Sequence, residues 1–412
     1  MISVEKARSL ILDQIQPTGT EKLDLLHSLG RVLAERVLSK RDHPPWNCSA
    51  MDGYAVRHED VVEASEKKPV MLEVIEEIAA GVLSTKIVGR GQASRIMTGA
   101  PVPEGADAVI RVEDTREGGE SVQIVCPAEG GENVRLRGED IQAGHVMLEQ
   151  NSVMGPAEAG LLASLGRSHL LVYQRPRVAI LATGDELADF DEALTPNKIM
   201  NSNGYALASQ VLEAGGVPVI LGIAKDTRED LLSRLTQGLT ADLILISGGV
   251  SVGTYDFVKE VLDRLGIRME FWKVAMKPGE PLAFGRLQAK PVFGLPGNPV
   301  STMVTFEQFV RPALRKMQGH PQLFRPVIDG VLMERITKRP GKMHFVRVVV
   351  KKTGDRQEVW TTGNQSSGVL TSLVKADGLL IFPSDSSDIE KGQVVKVQLL
   401  DKGLRGQTVP GY

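Results

Sequence analysis

Carboxylates stand just beyond strand-like apolar runs in the middle of the chain. Asp185 and Glu186 follow the run at 177–182, and Asp226 follows 217–221. Asp256 follows the run 243–246 and the loop Ser247-Gly248-Gly249-Val250-Ser251-Val252-Gly253. Carboxylates gathered on one edge repel unless a cation offsets them. A Mg²⁺ ion held by one or two of them plus phosphate oxygens would do so. Asp185 and Asp226 also suit helix N-caps, and that reading stays open; Glu186 and Asp256 are harder to explain that way. The Ser247 to Gly253 loop, with Ser251 at its centre, offers small side chains and backbone N–H groups ahead of a helix, as Thr183-Gly184 does on a smaller scale. That suits a phosphate group. The loop is neither a Walker A nor a G-x-G-x-x-G pattern, and a plain strand-to-helix turn also fits it.

Cationic and rigid segments follow. Lys273 and Lys277 sit in FWKVAMKPGEPLAFG, where Pro278-Gly279 fixes the direction of the second lysine. Lysine is a compact point charge for an oxyanion, although two solvated lysines would look the same. Pro296, Gly297 and Asn298 form a stiff turn before a helix that starts near Pro299. Earlier, Ser49-Ala50-Met51-Asp52-Gly53-Tyr54-Ala55-Val56 has neither helical nor strand periodicity and predicts a rigid turn that fixes Asp52. Thr98 opens a Gly- and Pro-containing loop, Arg135 and Asp140 bound a cluster of mixed charge, and Ser367 lies in a polar loop, 363–368. The histidines have no metal-ligand spacing, and no G-x-S-x-G elbow is present.

The elements that must position these residues are legible in outline. Strand and helix alternate from 176 to 320 with continuous apolar strands, which predicts a parallel sheet covered on both faces and a site at its carboxyl edge. Short β-rich runs at 70–78, 108–112 and 121–126 predict a small β unit, and runs between 325 and 403 predict a C-terminal β-barrel or sandwich. Residues 3–16, 21–38 and 155–173 read as helical. The fold class is therefore multidomain α/β and β. Its expected parts are a discontinuous helical domain (1–45 and 145–175), an inserted β domain (46–144), an α/β domain (176–322) and a C-terminal β-barrel domain (323–412).

Composition narrows the function. Of 412 residues, 42% are apolar and 4% aromatic, and the net charge is −3, which argues against a broad nucleic-acid face. Two cysteines make neither a disulfide framework nor a zinc site. No signal core and no uninterrupted apolar span appear, so a cytoplasmic protein without membrane segments is expected.

Taken in order, SAMDGYAV, MTGAPVPEGADAV, RLRGEDI, TGDEL, SGGVSVGTYDF, KVAMKPGEP, GLPGNPVS and TGNQSSG resemble the MoeA family, molybdopterin molybdenumtransferases that include the gephyrin E domain. The resemblance spans nearly the whole chain. It implies an α/β molybdopterin-binding domain, a homodimer with its active site across subunits, and insertion of molybdenum from molybdate into adenylylated molybdopterin. That reaction uses Mg²⁺ and releases AMP. By the same resemblance Asp52, Asp140, Glu186, Asp226 and Asp256 are the functional acids, with Glu186, Asp226 and Asp256 as metal ligands. Thr98, Arg135, Lys273, Lys277 and Ser367 match the other polar positions, and Arg347 of HFVRVVV matches a molybdate-site residue. Glu280 stands where many members carry lysine and receives no role. A separate molybdopterin adenylyltransferase would supply the substrate. A tungstate-specific paralogue and a non-catalytic gephyrin-like scaffold are the alternatives.

Overall fold

Residues 1–192, 195–249 and 255–400 are described by the computed structural model, the side chains of 255–258 excepted. Ser251 therefore lies outside the described residues, as does the side chain of Asp256. The chain divides into two compact units. One comprises Met1–Ala34, Asn151–Met154 and the chain from His169 onward; the other comprises Glu35–Gln150 and Gly155–Ser168.

In the first unit, α1 (Val4–Leu12) is capped by Ser3, whose hydroxyl accepts the Lys6 N–H, and it buries Val4, Ala7 and Ile11. β1 (Thr20–Asp24) pairs antiparallel with β2 (His169–Tyr173), with Leu23 opposite Leu170. The helix expected over 21–38 is thus absent, and the helix expected over 155–173 is confined to Pro156–Ser164. Local leucine spacing suggested helix, but pairing with a distant segment decides the outcome. Gly166, at φ +74°, ends the short helix as its composition predicts.

The α/β layer contains β3 (Arg177–Thr183), α2 (Ser202–Glu213), β4 (Val217–Ala224), α3 (Arg228–Gly238), β5 (Leu243–Ser247) and α4 (Tyr255–Arg264). It continues with β6 (Arg268–Lys273), β8 (Pro281–Leu287) and β9 (Lys290–Leu295), while the intervening β7 (Met276–Lys277) leaves the layer for the next sheet. The order β4-β3-β5-β9 is parallel throughout. β8 and β6 then extend the sheet in antiparallel fashion, making it mixed. They come from a segment whose Pro278 and Gly279 predict only a loop. Helix α5 (Pro299–Thr305) continues through a π-helical stretch, Phe306–Val310, into α6 (Arg311–Met317).

Beyond it, β10 (Val327–Leu332), β11 (Met343–Thr353), β12 (Arg356–Thr361), β13 (Gly378–Phe382) and β14 (Val394–Leu399) close a five-stranded barrel. The ring runs β11-β12-β10-β14-β13 and returns to β11. β7 lies parallel to the start of β11. One hydrophobic core joins Val4 and Ile11 of α1, Phe284 and Phe293 of the sheet, Phe306 and Phe309 of the long helix, and Phe345 and Leu379 of the barrel.

The second unit is built on a sheet in the order Ala108–Arg111, Gly53–Val56, Gln92–Ile96, Val70–Ile78, Ser121–Ile124 and Thr115–Glu117. Half of the Ser49–Val56 motif is thus an interior strand rather than a turn. Its glycine is required by close packing: a Cβ on Gly53 would lie 1.8 Å from the Ile110 carbonyl oxygen.

His320, just past α6, is buried at 7% exposure, and its Nδ1 has no hydrogen-bond partner among the described residues. Burial, then Arg315 and Arg311, push its imidazole down to about 4. The folded state thus favours neutral imidazole, so stability is complete above the ordinary value near 6.5 and declines as pH falls toward 4. Between pH 7 and 4.5 the wild type should lose on the order of 1–2 kcal/mol more than His320→Gln, allowing for solvent screening. Urea unfolding across that range measures it, and parallel pH profiles would contradict it.

Candidate active site

The carboxyl ends of β3, β4, β5 and β9 surround a cavity of about 480 Å³, within the usual size of a small-molecule site. The chain moves from β3 to β4 on one side and then crosses to β5 on the other, so the cavity lies at the switch point of the sheet. Its lining includes Thr183, Gly184, Glu186, Asp226, Ser247, Gly248, Gly249, Pro296, Gly297 and Asn298, all picked out by sequence.

The loops are held by side chains. The Asn203 amide donates to Ser247 Oγ at 2.9 Å and to the Gly297 carbonyl at 2.7 Å. Thr302 Oγ1 donates to the carbonyls of Pro296 and Asn298. The Gly248 N–H, expected to face a phosphate, donates instead to the Leu295 carbonyl at 3.1 Å. Gly248 is at φ +92°, and a Cβ there would lie 2.6 Å from the Thr183 carbonyl oxygen. That loop needs glycine for backbone reasons.

The acids do not serve as helix caps. The N-cap of α3 is Thr227, whose hydroxyl accepts the Asp230 N–H, so Asp226 is left outside the helix. The Asp185 carboxylate accepts the Asp226 N–H at 3.1 Å. Burial pushes the Asp226 carboxyl up; a backbone hydrogen bond from Asp185 opposes this, and the charges of Asp185 and Glu186 add to it. The capping alternative therefore fails for both aspartates, and Asp185, Glu186 and Asp226 crowd together, while the side chain of Asp256 lies outside the described residues.

Lys273 and Lys277 are exposed at the ends of β6 and β7. Arg347 is buried at 2% exposure in β11. Its Nε donates to Ser372 Oγ and its Nη2 to the Ser366 carbonyl, each at 3.1 Å. Burial alone pushes its guanidinium down to about 10, and no carboxylate pairs with it among the described residues. The Val300 N–H donates to the Ser367 carbonyl, also at 3.1 Å, tying the polar loop at 363–368 to the start of α5. Glu280, given no role, forms an ion pair with Lys342.

In the other unit, Asp52 accepts the Thr98 N–H and hydroxyl, both at 2.7 Å, and these bonds hold its carboxyl below the usual range. Arg135 lies 3.6 Å from Glu139, and Asp140 is exposed. Arg137, of the same charged cluster, pairs instead with Asp42 at 2.6 Å.

The chain matches three family models in succession. These are the MoeA N-terminal region (domain I and II) over residues 2–166, the probable molybdopterin binding domain over 179–316, and the MoeA C-terminal region (domain IV) over 329–400. It is 40% identical over 392 residues to the molybdopterin molybdenumtransferase of Nostoc sp., covering 92% of this chain and 88% of that protein. Against molybdopterin molybdenumtransferase 2 of Mycobacterium tuberculosis it is 38% identical over 403 residues, covering 96% and 99%. The crystal structure of the molybdopterin biosynthesis MoeA protein of Pyrococcus horikoshii OT3 superimposes with a TM-score of 0.83 at 31% identity, over 97% of this chain and 100% of that one. The chain belongs to the MoeA family.

This MoeA-family chain is a transferase of molybdenum cofactor biosynthesis. Its sequence motifs did not include Ile199, Met200, Asn201, Ser202 or Asn203, all of which line the cavity. The signal available was Asn201-Ser202-Asn203 at the head of a helix, where Asn201 is the N-cap and accepts the Gly204 N–H at 3.0 Å. A cap explains Asn201 but leaves Asn203 unexplained. In this MoeA-family fold the Gly248→Ala substitution should cost about 1–3 kcal/mol in urea unfolding, because it forces a side chain into the left-handed region against Thr183. Wild-type stability would show that the loop relaxes without strain.

Proposed function

We propose that the protein inserts molybdenum from molybdate into adenylylated molybdopterin, releasing AMP and leaving the molybdenum cofactor. It acts as a cytoplasmic homodimer and receives its substrate from a separate molybdopterin adenylyltransferase. The observation that carries this reading is the convergence of Glu186 and Asp226 with open backbone loops on one strand-end cavity.

The donor set fits Mg²⁺. Oxygen ligands crowd near Asp226, yet among the described residues no three His, Cys, Asp or Glu side chains converge on a metal position. Such a set matches an ion that takes one or two carboxylates and completes its shell with phosphate oxygens and water. Glu186, Asp226 and Asp256 are the candidates for its one or two carboxylates, and the ion would neutralise the phosphoanhydride and polarise phosphorus. Thr183, Ser247 and the Pro296-Gly297-Asn298 turn shape the pocket for the pterin nucleotide. Lys273 and Lys277 place positive charge where the leaving phosphate gains negative charge. Arg347 and Ser367 suit molybdate, a tetrahedral dianion recognised by charge-assisted donors. In the second unit Asp52 and Thr98 form a fixed acid–hydroxyl pair, with Arg135 and Asp140 the other family-matched polar residues of that unit.

Purified protein supplied with adenylylated molybdopterin, molybdate and Mg²⁺ should release AMP and yield active cofactor. Glu186→Ala should lower that rate by about 100-fold or more with an unchanged melting temperature. AMP release no faster than in a protein-free control would end the proposal.

A further inference from the structure

The active cavity lies at the carboxyl edge of the sheet, and a second cavity of about 240 Å³ lies at the amino edge. It is lined by Gly266, Arg268, Arg286 and Gln288. Arg268 begins β6 and stands directly opposite Arg286 of β8. Arg286 in turn pairs with Pro291, at the start of β9. Gly266, at φ +77°, follows α4 and gives its part of the wall only backbone. Gln288 belongs to the two-residue turn that joins β8 to β9.

Like charges directly opposite on neighbouring strands destabilise the pair. The surroundings offset these two only in part. Among the described residues the Arg268 guanidinium has no hydrogen-bond or ion-pair partner. Arg286 has one carboxylate near it, that of Glu270, which stands 3.7 Å from Nη2 and so beyond hydrogen-bond reach. The Arg286 Nε is buried and has no acceptor among the described residues. Lys290, the next cation along the hairpin, is committed to the Leu239 carbonyl. A buried donor without an acceptor calls for an occupant. Water would satisfy the donor but would not offset the two charges. A phosphate group does both, because each guanidinium fork can donate paired N–H bonds to its oxygens. The cavity is smaller than the roughly 300–1,000 Å³ of most drug-sized sites, so the ligand is small. Arginine on an edge strand also discourages pairing with another chain. That role explains an exposed Arg268 and leaves the buried Nε of Arg286 unexplained.

We propose that Arg268 and Arg286 form a second anion site, which takes a small ligand through a phosphate group. The ligand is inorganic phosphate, diphosphate or a small phosphate ester. The site lies at the edge of the sheet away from the transfer chemistry, and its assignment does not depend on that chemistry.

Calorimetric titration of the full chain with sodium diphosphate, in chloride buffer without divalent cations, tests it. Arg268→Ala should weaken binding by about tenfold or more, and Arg268→Lys should weaken it less. Glu270→Gln should tighten binding by removing the competing carboxylate, and Lys277→Ala should leave this site unchanged. Without diphosphate, Arg268→Ala should melt at or above the wild-type temperature, and added diphosphate should raise it less than it raises the wild type. Displacement of diphosphate by inorganic phosphate, or more readily by ribose 5-phosphate, would identify the free anion or the ester as the better ligand. Absence of binding in the wild type, or equal affinity in Arg268→Ala, would overturn the proposal. So would binding lost only in Lys277→Ala, which would place the anion in the active cavity alone. Weaker binding in Glu270→Gln, or a lower anion-free melting temperature in Arg268→Ala, would mark the arginines as structural and overturn it too.

Discussion

The side-chain amide of Asn203 joins loops that follow different strands. Through one nitrogen it donates to Ser247, at the end of β5, and to Gly297, beyond the end of β9. Parallel strands bring these ends to one edge, and the ladder reaches only the first loop residue, where the Gly248 N–H donates to the Leu295 carbonyl. Placing the tie on the first turn of α2 makes the geometry of the pocket depend on how that helix starts. Asn201 sets the start by capping the Gly204 N–H. The Asn203 carbonyl oxygen is buried without a partner among the described residues, a cost that a ligand donor or an ordered water would remove.

The two sides of the first unit carry opposite electrostatic burdens. At the strand ends, Asp185, Glu186 and Asp226 make ionised oxygen expensive. At the barrel, burial and then the charges of Lys277 and Arg347 push the Lys338 ammonium down, and burial pushes the Arg347 guanidinium down. Among the described residues neither Asp226 nor Arg347 has an ion-pair partner of opposite charge. Each is complementary to one reactant of the proposed transfer, a hard cation with its phosphates on one side and an oxyanion on the other.

Most of the α/β layer was legible because its strands are short, apolar and regularly separated by helices. The barrel strands were legible from β-rich runs between turns. What was not legible depended on long-range partners. The leucines between 21 and 38 have helical spacing, yet Thr20–Asp24 pairs with His169–Tyr173, which local spacing cannot reveal. Gly53 looked like a turn glycine, whereas the structure needs it because the Ile110 backbone passes against it. Lys277-Pro278-Gly279 looked like a loop, and β6 and β8 on either side of it became sheet strands. Charged site residues were easier to find than the amide that orders them, because acids beside glycines suggest chemistry and an asparagine at a helix start suggests only a cap.

The shared core of the first unit carries a further implication. Phe345 and Leu379 of the barrel pack in the same cluster as Phe293 of the sheet and Ile11 of the N-terminal helix. The family models, however, divide this stretch between residues 316 and 329 and assign the first helix to a separate N-terminal region. The segments recognisable by descent are therefore smaller than the piece that can bury its own apolar surface. Excising the α/β segment at those boundaries would remove the α1 and barrel members of this core, among them Val4, Ile11, Phe345 and Leu379, and present an oily face to water. Segments that the family models keep apart therefore share, in this chain, one hydrophobic interior.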